Sequence, residues 1–191
     1  MIVLITGPVR SGKSAFALEL AREGERVAFY IATYEADPHD PEMARRIERH
    51  RAARPGMATI ETNERTGPTL VETLAAAKPG EVLVIDSLGT WLSAQLLALG
   101  DLPERDPVAA AAELERRAAA LLPALESLAA DVIFVSEEAG WGVVPPTALG
   151  RLFRDQLGRT NASIAQRADQ ALLVVAGFAI DLAAAGRRVS G

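Results

Sequence analysis

The sequence predicts an α/β protein, a mostly parallel sheet flanked by helices, on three observations. Short apolar runs recur at residues 2–5, 27–32, 82–85, 132–135 and 171–175. Between them lie longer stretches with apolar residues at helical spacing, the rhythm of repeated βαβ units. Residues 7–14 read G-P-V-R-S-G-K-S, the G-x-x-x-x-G-K-[ST] phosphate loop, set between the first apolar run and a helix-forming stretch over 15–22. Hydrophobic residues make up 49% of the chain and aromatics only 5%, so the core must be built from Val, Ile, Leu and Ala, which suits strands buried on both faces.

With 191 residues, the chain has the length of one α/β domain over 1–191 and is short for two. A net charge of −5 supplies no general attraction to nucleic acid or an anionic membrane. The absence of Cys excludes disulfides, thiolate nucleophiles and Cys-based zinc sites, and fits a reducing compartment. No basic segment precedes the first apolar run, which is far too short for a signal or a membrane span, so a cytoplasmic protein is expected.

Further elements follow in order. Residues 58–62 read as an additional edge strand, and 178–182 as the second arm of a hairpin with the strand before Gly177. A helical pattern over 107–129 is interrupted by Pro123, which costs about 3 kcal/mol inside a helix and predicts a kink or two helices. Residues 100–107, rich in charge and Pro, read as a loop excursion rather than a domain boundary. Parallel sheets place ligands at the carboxyl ends of their strands, which directs attention to 7–14, 33–40, 86–90 and 137–145.

The phosphate loop binds a nucleoside triphosphate when its amides converge at a helix N-terminus. Lys13 then reaches the β- and γ-phosphates, and the Ser14 hydroxyl is placed to ligate Mg²⁺. Asp86 ends an apolar strand in the Walker B manner and would complete that metal site; the other reading of Asp86-Ser87 is a helix cap. Residues 40–54 begin like a helix, with Asp40 as cap, Pro41 at the first position and Glu42 in the first turn, and end by Pro55. Spacing of four aligns Arg46, His50 and Arg54, with Met43 and Ile47 on the adjacent face. Flanking arginines favour neutral imidazole, the nucleophilic form, and can hold phosphate oxygens, so the stripe suits attack by His50 on an α-phosphate. A solvated arginine-rich face is the alternative. His39, the only other histidine, falls in a turn rich in Pro and Asp and reads as a loop residue.

Arg10 occupies a phosphate-loop position that often carries a small or apolar residue. Glu61 reads either as an acceptor for the N1–H and amine of guanine or as an ordinary edge-strand acid. Residues 137–145, E-E-A-G-W-G-V-V-P, read either as a binding loop or as a Gly-rich turn with Trp141 packed over the core. The sequence singles out no general base for a kinase step; Glu137 and Glu138 are offered by position alone. Arg154 pairs locally or reaches a neighbouring subunit.

Together these residues resemble the bifunctional adenosylcobinamide kinase and adenosylcobinamide-phosphate guanylyltransferase family of cobalamin biosynthesis. The resemblance spans nearly the full chain: the R-S-G-K-S ending of the loop, Tyr30-Ile31-Ala32-Thr33, Glu42-Met43 with Arg46-Ile47 and His50, Arg54-Pro55, Gly140-x-Gly142-Val143-Val144-Pro145, Phe153-Arg154-Asp155, Gly158-Arg159, Asn161 and Ala168-Asp169. It implies a RecA-like fold, a homotrimer, and guanylylation of His50. It implies nucleotide contacts from Gly7, Pro8, Val9, Arg10, Ser11, Gly12, Lys13 and Ser14, from Ile31, Ala32 and Thr33, and from Arg51, Ala52, Ala53 and Arg54. Glu61 would face guanine and Asp86 would supply the acid, with Mg²⁺, GTP and ATP bound and adenosylcobinamide as the acceptor.

Two departures stand out. Pro8 replaces a common second Gly and removes one backbone donor, and Asp86 stands where some relatives have Glu, with a shorter reach. The competing functions are a single-step phosphate-loop kinase that needs no histidine nucleophile, and a nucleotide switch or RecA-like DNA motor. The acidic balance and the lack of a basic, aromatic strand-tracking patch argue against the motor.

Overall fold

Seven strands form one sheet in the order β3-β2-β4-β5-β1-β6-β7. They are β1 (Ile2–Thr6), β2 (Val27–Ala32), β3 (Ala58–Glu61), β4 (Glu81–Asp86), β5 (Asp131–Val135), β6 (Gln170–Val175) and β7 (Phe178–Asp181). Every pairing is parallel except β6 with β7. The computed structural model describes residues 1–33, 48, 51–52 and 54–189. Each apolar run therefore became a strand, Ala58–Glu61 lies at one edge, and Phe178–Asp181 forms the hairpin at the other.

The helices are α1 (Lys13–Ala21), α2 (Leu70–Ala75), α3 (Leu88–Leu97), α4 (Leu102–Arg105), α5 (Pro107–Ala119), α6 (Leu121–Glu126), α7 (Ala148–Ala165) and α8 (Leu182–Ala185). The long pattern after Pro107 is indeed two helices. Pro123 sits in the first turn of α6, where its missing N–H has no intrahelical partner to lose. The loop expected over 100–107 contains α4, whose first turn is nucleated by Pro103. Of the helix expected over 40–54, Glu48, Arg51 and Ala52 are described and are helical. His39 and the remainder of that expectation lie outside the described residues.

Alternation along the strands divides the core. Leu4, Leu83, Ile85, Val132 and Phe134 face a helical layer that contributes Leu70, Leu74, Trp91, Leu92, Leu114, Leu121, Leu157 and Ile164. Val3, Ile5, Val82, Val84, Ile133, Val135, Leu172 and Val174 face the other way, against Ala17, Leu18 and Ala21 of α1. Burial on both faces is why these strands read as unbroken apolar runs rather than alternating ones. The register Asp86↔Val135 and Ile5↔Val135 brings the carboxyl ends of β4, β5 and β1 level, and the site is built along that rim.

Candidate active site

The phosphate loop starts where β1 ends. Gly7 has φ +147°, and a Cβ there would stand 2.1 Å from the Val174 carbonyl oxygen, so β6 leaves room for no side chain. On the same side the turn between β6 and β7 braces the loop, with the Gly177 amide donating to Ser11 O at 3.0 Å. Arg10 takes a left-handed φ of 58° and is exposed at the crest. The loop encloses a cleft of about 300 Å³ lined by Arg10, Ser11, Gly12, Lys13, Ser14 and Ala15.

Lys13 is buried and donates from Nζ to Pro8 O at 2.8 Å. Burial pushes its pKa down, opposed by the negative charges of Glu137 and Asp86. The Ser11 hydroxyl is buried without a hydrogen-bond partner. A cradle that closes a cation and an unsatisfied hydroxyl into the first turn of a helix is chemically suited to phosphate oxygens.

Beside it, at the end of β4, Asp86 does not itself cap the helix that follows. Ser87 caps α3, with Thr90 completing a capping box. Asp86 is left to face Tyr30, whose phenol donates to Oδ2 at 3.1 Å. Thr33 Oγ1 donates to Ser87 O at 2.8 Å and lies 2.6 Å from Thr90 Oγ1, tying the end of β2 to the start of α3. Glu137 reaches across the same turn: Oε1 accepts from Ser87 Oγ at 2.8 Å, and a Cβ on Gly89 would meet Oε2 at 2.2 Å. The Glu137 carbonyl accepts from Asn161 Nδ2 at 3.3 Å, and Asn161 Oδ1 accepts from Ser136 Oγ at 2.6 Å. Glu138 is engaged elsewhere, accepting from Thr6 Oγ1 at 3.1 Å.

Toward the β3 edge stands a second polar group. Arg54, 4% exposed, lies 3.6 Å over the Tyr30 ring and donates from Nη2 to Thr59 Oγ1 at 3.3 Å. Its Nε and Nη1 are buried without partners. Burial lowers the pKa of this guanidinium, and the two unsatisfied donors suit an anionic ligand. Arg51 Nη2 and Glu61 Oε1 form an exposed ion pair at 2.9 Å. Tyr30 joins this group to Asp86, whose negative charge acts on both Arg54 and Lys13.

Residues 3–182 match the family described as cobinamide kinase / cobinamide phosphate guanyltransferase. The chain belongs to that family. It is 39% identical over 180 residues to the bifunctional adenosylcobalamin biosynthesis protein CobP of Pseudomonas aeruginosa, covering 94% of this chain and 95% of the relative. It is 34% identical over 185 residues to CobU of Salmonella typhimurium and 34% over 186 residues to CobU of Escherichia coli, in each case covering 95% of this chain and 99% of the relative. Among solved structures, a prototypical ATPase from the type III secretion system of pathogenic bacteria aligns with a TM-score of 0.53 at 14% identity, over 99% of this chain and 59% of that one. That likeness concerns the fold alone, a RecA-like phosphate-loop architecture.

Against this cobinamide kinase and guanyltransferase family, the expected site residues fall into three groups. Arg10, Ser11, Gly12, Lys13 and Ser14 line one cleft, with Gly7, Pro8 and Val9 leading into it from β1 and with Asp86 and Thr33 at the carboxyl ends of β4 and β2. Arg51, Ala52, Arg54 and Glu61 gather at the β3 edge. His50 and Ala53 lie outside the described residues. Ile31 is wholly buried in the core, which leaves only its backbone for a ligand, and Thr33 is likewise buried and spent on α3. Tyr30 and Asn161 carry structural roles that the sequence did not assign. Their signals, a Tyr among aliphatics in a strand and an Asn mid-helix, become meaningful only when β4 and β5 arrive beside them.

Proposed function

We propose that the chain phosphorylates adenosylcobinamide and then transfers GMP from GTP to adenosylcobinamide phosphate through a guanylylated histidine, His50. The observation that carries the reading is the phosphate cradle of Lys13 and Ser11 set beside Asp86, in a chain whose family couples the kinase and guanylyltransferase activities.

In the kinase half, the loop amides and Lys13 hold the β- and γ-phosphates in line with the hydroxyl of the substrate's aminopropanol arm. Ser14 and Asp86 would supply oxygen donors to Mg²⁺. When bound, Mg²⁺ supplies charge neutralisation between the β- and γ-phosphates. In the transferase half, His50 attacks the α-phosphorus of GTP, a P–N bond forms and pyrophosphate leaves. The phosphate of adenosylcobinamide phosphate then attacks the same phosphorus, the P–N bond breaks, and adenosylcobinamide-GDP departs with histidine regenerated. Arg54 supplies charge beside the reacting phosphate, and Glu61 reads the guanine.

The same proposal includes a single domain over 1–191, a cytoplasmic location and a homotrimer. No helix among the described residues is long and apolar enough to cross a membrane. The edge strand β7 exposes Phe178 and Ile180, an apolar edge suited to self-association.

Incubation with GTP labelled at the α-phosphate tests the assignment. Label that is acid-labile, base-stable and lost in His50→Ala supports guanylyl transfer, while phosphorylation of cobinamide that is lost in Lys13→Ala supports the kinase half. A protein that turns over cobinamide yet never acquires label is a single-step kinase, and DNA-stimulated hydrolysis in place of both points to a motor.

A further inference from the structure

The residues assigned so far hold a nucleotide, and none of them addresses the corrinoid. The connection from β5 to α7 leaves the sheet directly beside the phosphate loop: the Glu138 amide donates to Gly7 O at 3.2 Å, and Thr6 Oγ1 donates to its carboxylate. At the other end Arg151 Nη1 donates to the carbonyls of Pro145 at 3.1 Å and Pro146 at 2.8 Å. Pro145 also packs so closely on Gly150 that a Cβ there would meet its ring at 2.8 Å. Ala139 packs against the core. Between these fixed ends Trp141 is 64% exposed and Val143 95% exposed, with Val144 exposed beside them. Val9, in the phosphate loop after the paired strand β1, is 79% exposed.

A segment that starts beside the phosphate loop, is anchored at both ends and holds large apolar side chains in water is the signature of a ligand-covered surface. We propose that this loop, with Trp141 and Val143 at its crest, is the platform on which the corrin macrocycle of the cobinamide substrate lies, its hydroxyl-bearing arm directed into the phosphate loop. The proposal rests on the function proposed above.

The occupant follows from the neighbours. The cradle of Lys13 and Ser11 takes the polar phosphates, so the apolar segment that begins beside the phosphate loop at Glu138 is left to the other substrate. A corrin is a broad ring system bearing methyl groups and amide arms, and an indole offers it a flat apolar face with one N–H donor. Association between copies of the chain has a separate apolar surface in β7, which lies on the opposite side of β1 from β5.

The test compares wild type with Trp141→Ala and Val143→Ser, the second a change at a position so exposed that folding is indifferent to it. Kinase assays varying cobinamide at saturating GTP are expected to show KM for cobinamide raised about tenfold or more in Trp141→Ala and severalfold in Val143→Ser, with kcat little changed. Labelling by α-phosphate-labelled GTP, which requires no corrinoid, is expected to match wild type, as is the molecular mass in solution. An unchanged KM for cobinamide overturns the proposal. So does a fall in molecular mass, which would place a second copy on the loop, or a parallel loss of labelling, which would give the loop to the nucleotide. Wild type that neither phosphorylates cobinamide nor acquires label overturns the functional reading itself.

Discussion

The Tyr30 phenol donates a 3.1 Å hydrogen bond to Asp86 Oδ2 while the Arg54 guanidinium lies 3.6 Å over the same ring. One aromatic side chain thus links the acid beside the phosphate loop to the cation beside the β3 edge. Hydrogen bonds to charged groups contribute about 1.5–3 kcal/mol, so this one fixes the carboxylate rather than merely touching it. Tyr30→Phe keeps the ring under Arg54 and releases Asp86. The expected result is nucleotide affinity weakened about tenfold, measured by calorimetric titration with GTP, with Tm close to wild type. Tyr30→Leu also removes the stacked ring and is expected to lower Tm, because Arg54 is then buried with less to offset its charge. Equal GTP affinity in wild type and Tyr30→Phe would show that the bond does not position Asp86.

At Gly7 the constraint is backbone against backbone. With φ at +147° and the Val174 oxygen 2.1 Å from any added Cβ, neither partner yields without unzipping β1 from β6. Gly7→Ala is expected to destabilise the fold by at least about 2 kcal/mol and to abolish GTP binding. Gly56→Ala is the control: its φ is +78° but nothing stands within 4 Å, so only strain of about 1 kcal/mol applies. Urea unfolding of both variants checks the pair, and similar losses would mean that the Val174 contact contributes nothing.

Legibility in the sequence tracked the range of the interactions involved. The central strands were readable because burial on both faces writes each one as a local apolar run, and the phosphate loop because its glycines and Lys13 are contiguous. The break near Pro123 was readable for the same reason. In the sequence Asp86-Ser87 read as either a cap or a metal ligand; Ser87 holds the cap, a choice made by hydrogen bonds among Ser87, Thr90 and Glu137, the last 50 residues away. Glu137 and Glu138 were equivalent in the sequence. The structure separates them, one lying against α3 with its charge acting on Lys13 and the other pairing with Thr6. The exposure of Trp141 likewise depended on where Arg151 pins the Pro145 and Pro146 carbonyls, which no pattern in 137–145 records.

Away from the site, Glu113 accepts hydrogen bonds from Arg116 at 2.7 and 2.8 Å and from Arg117 at 2.7 Å, and these bonds hold its pKa at about 2. Its folded pKa lies below the unfolded value, so the ion pairs contribute stability above the ordinary Glu range. That contribution is lost as pH falls from about 4.5 toward 2. Glu113→Gln is expected to flatten this part of the acid limb in urea unfolding across that interval and to change little at pH 7 relative to pH 6. An acid limb of unchanged slope would show the pairs to be dissociated in solution.

Lys13 shows stability traded for binding. Burial lowers its pKa from 10.5, so below the depressed value the folded chain carries a charge it holds less favourably than the unfolded chain does. Between that value and 10.5 the unfolded chain binds more protons, and stability rises with pH; below that value the cost is present in full. Lys13→Met keeps the buried stem and removes the charge, so without nucleotide its Tm is expected to exceed that of wild type, by a margin that narrows as pH approaches 10.5. With GTP at 100 times the wild-type Kd, ligand linkage adds about 2.7 kcal/mol to wild type and nothing to a variant that no longer binds, so the order of the two Tm values reverses. Scanning both proteins with and without GTP reads the crossing. Parallel curves would mean that Lys13 does not meet the phosphates.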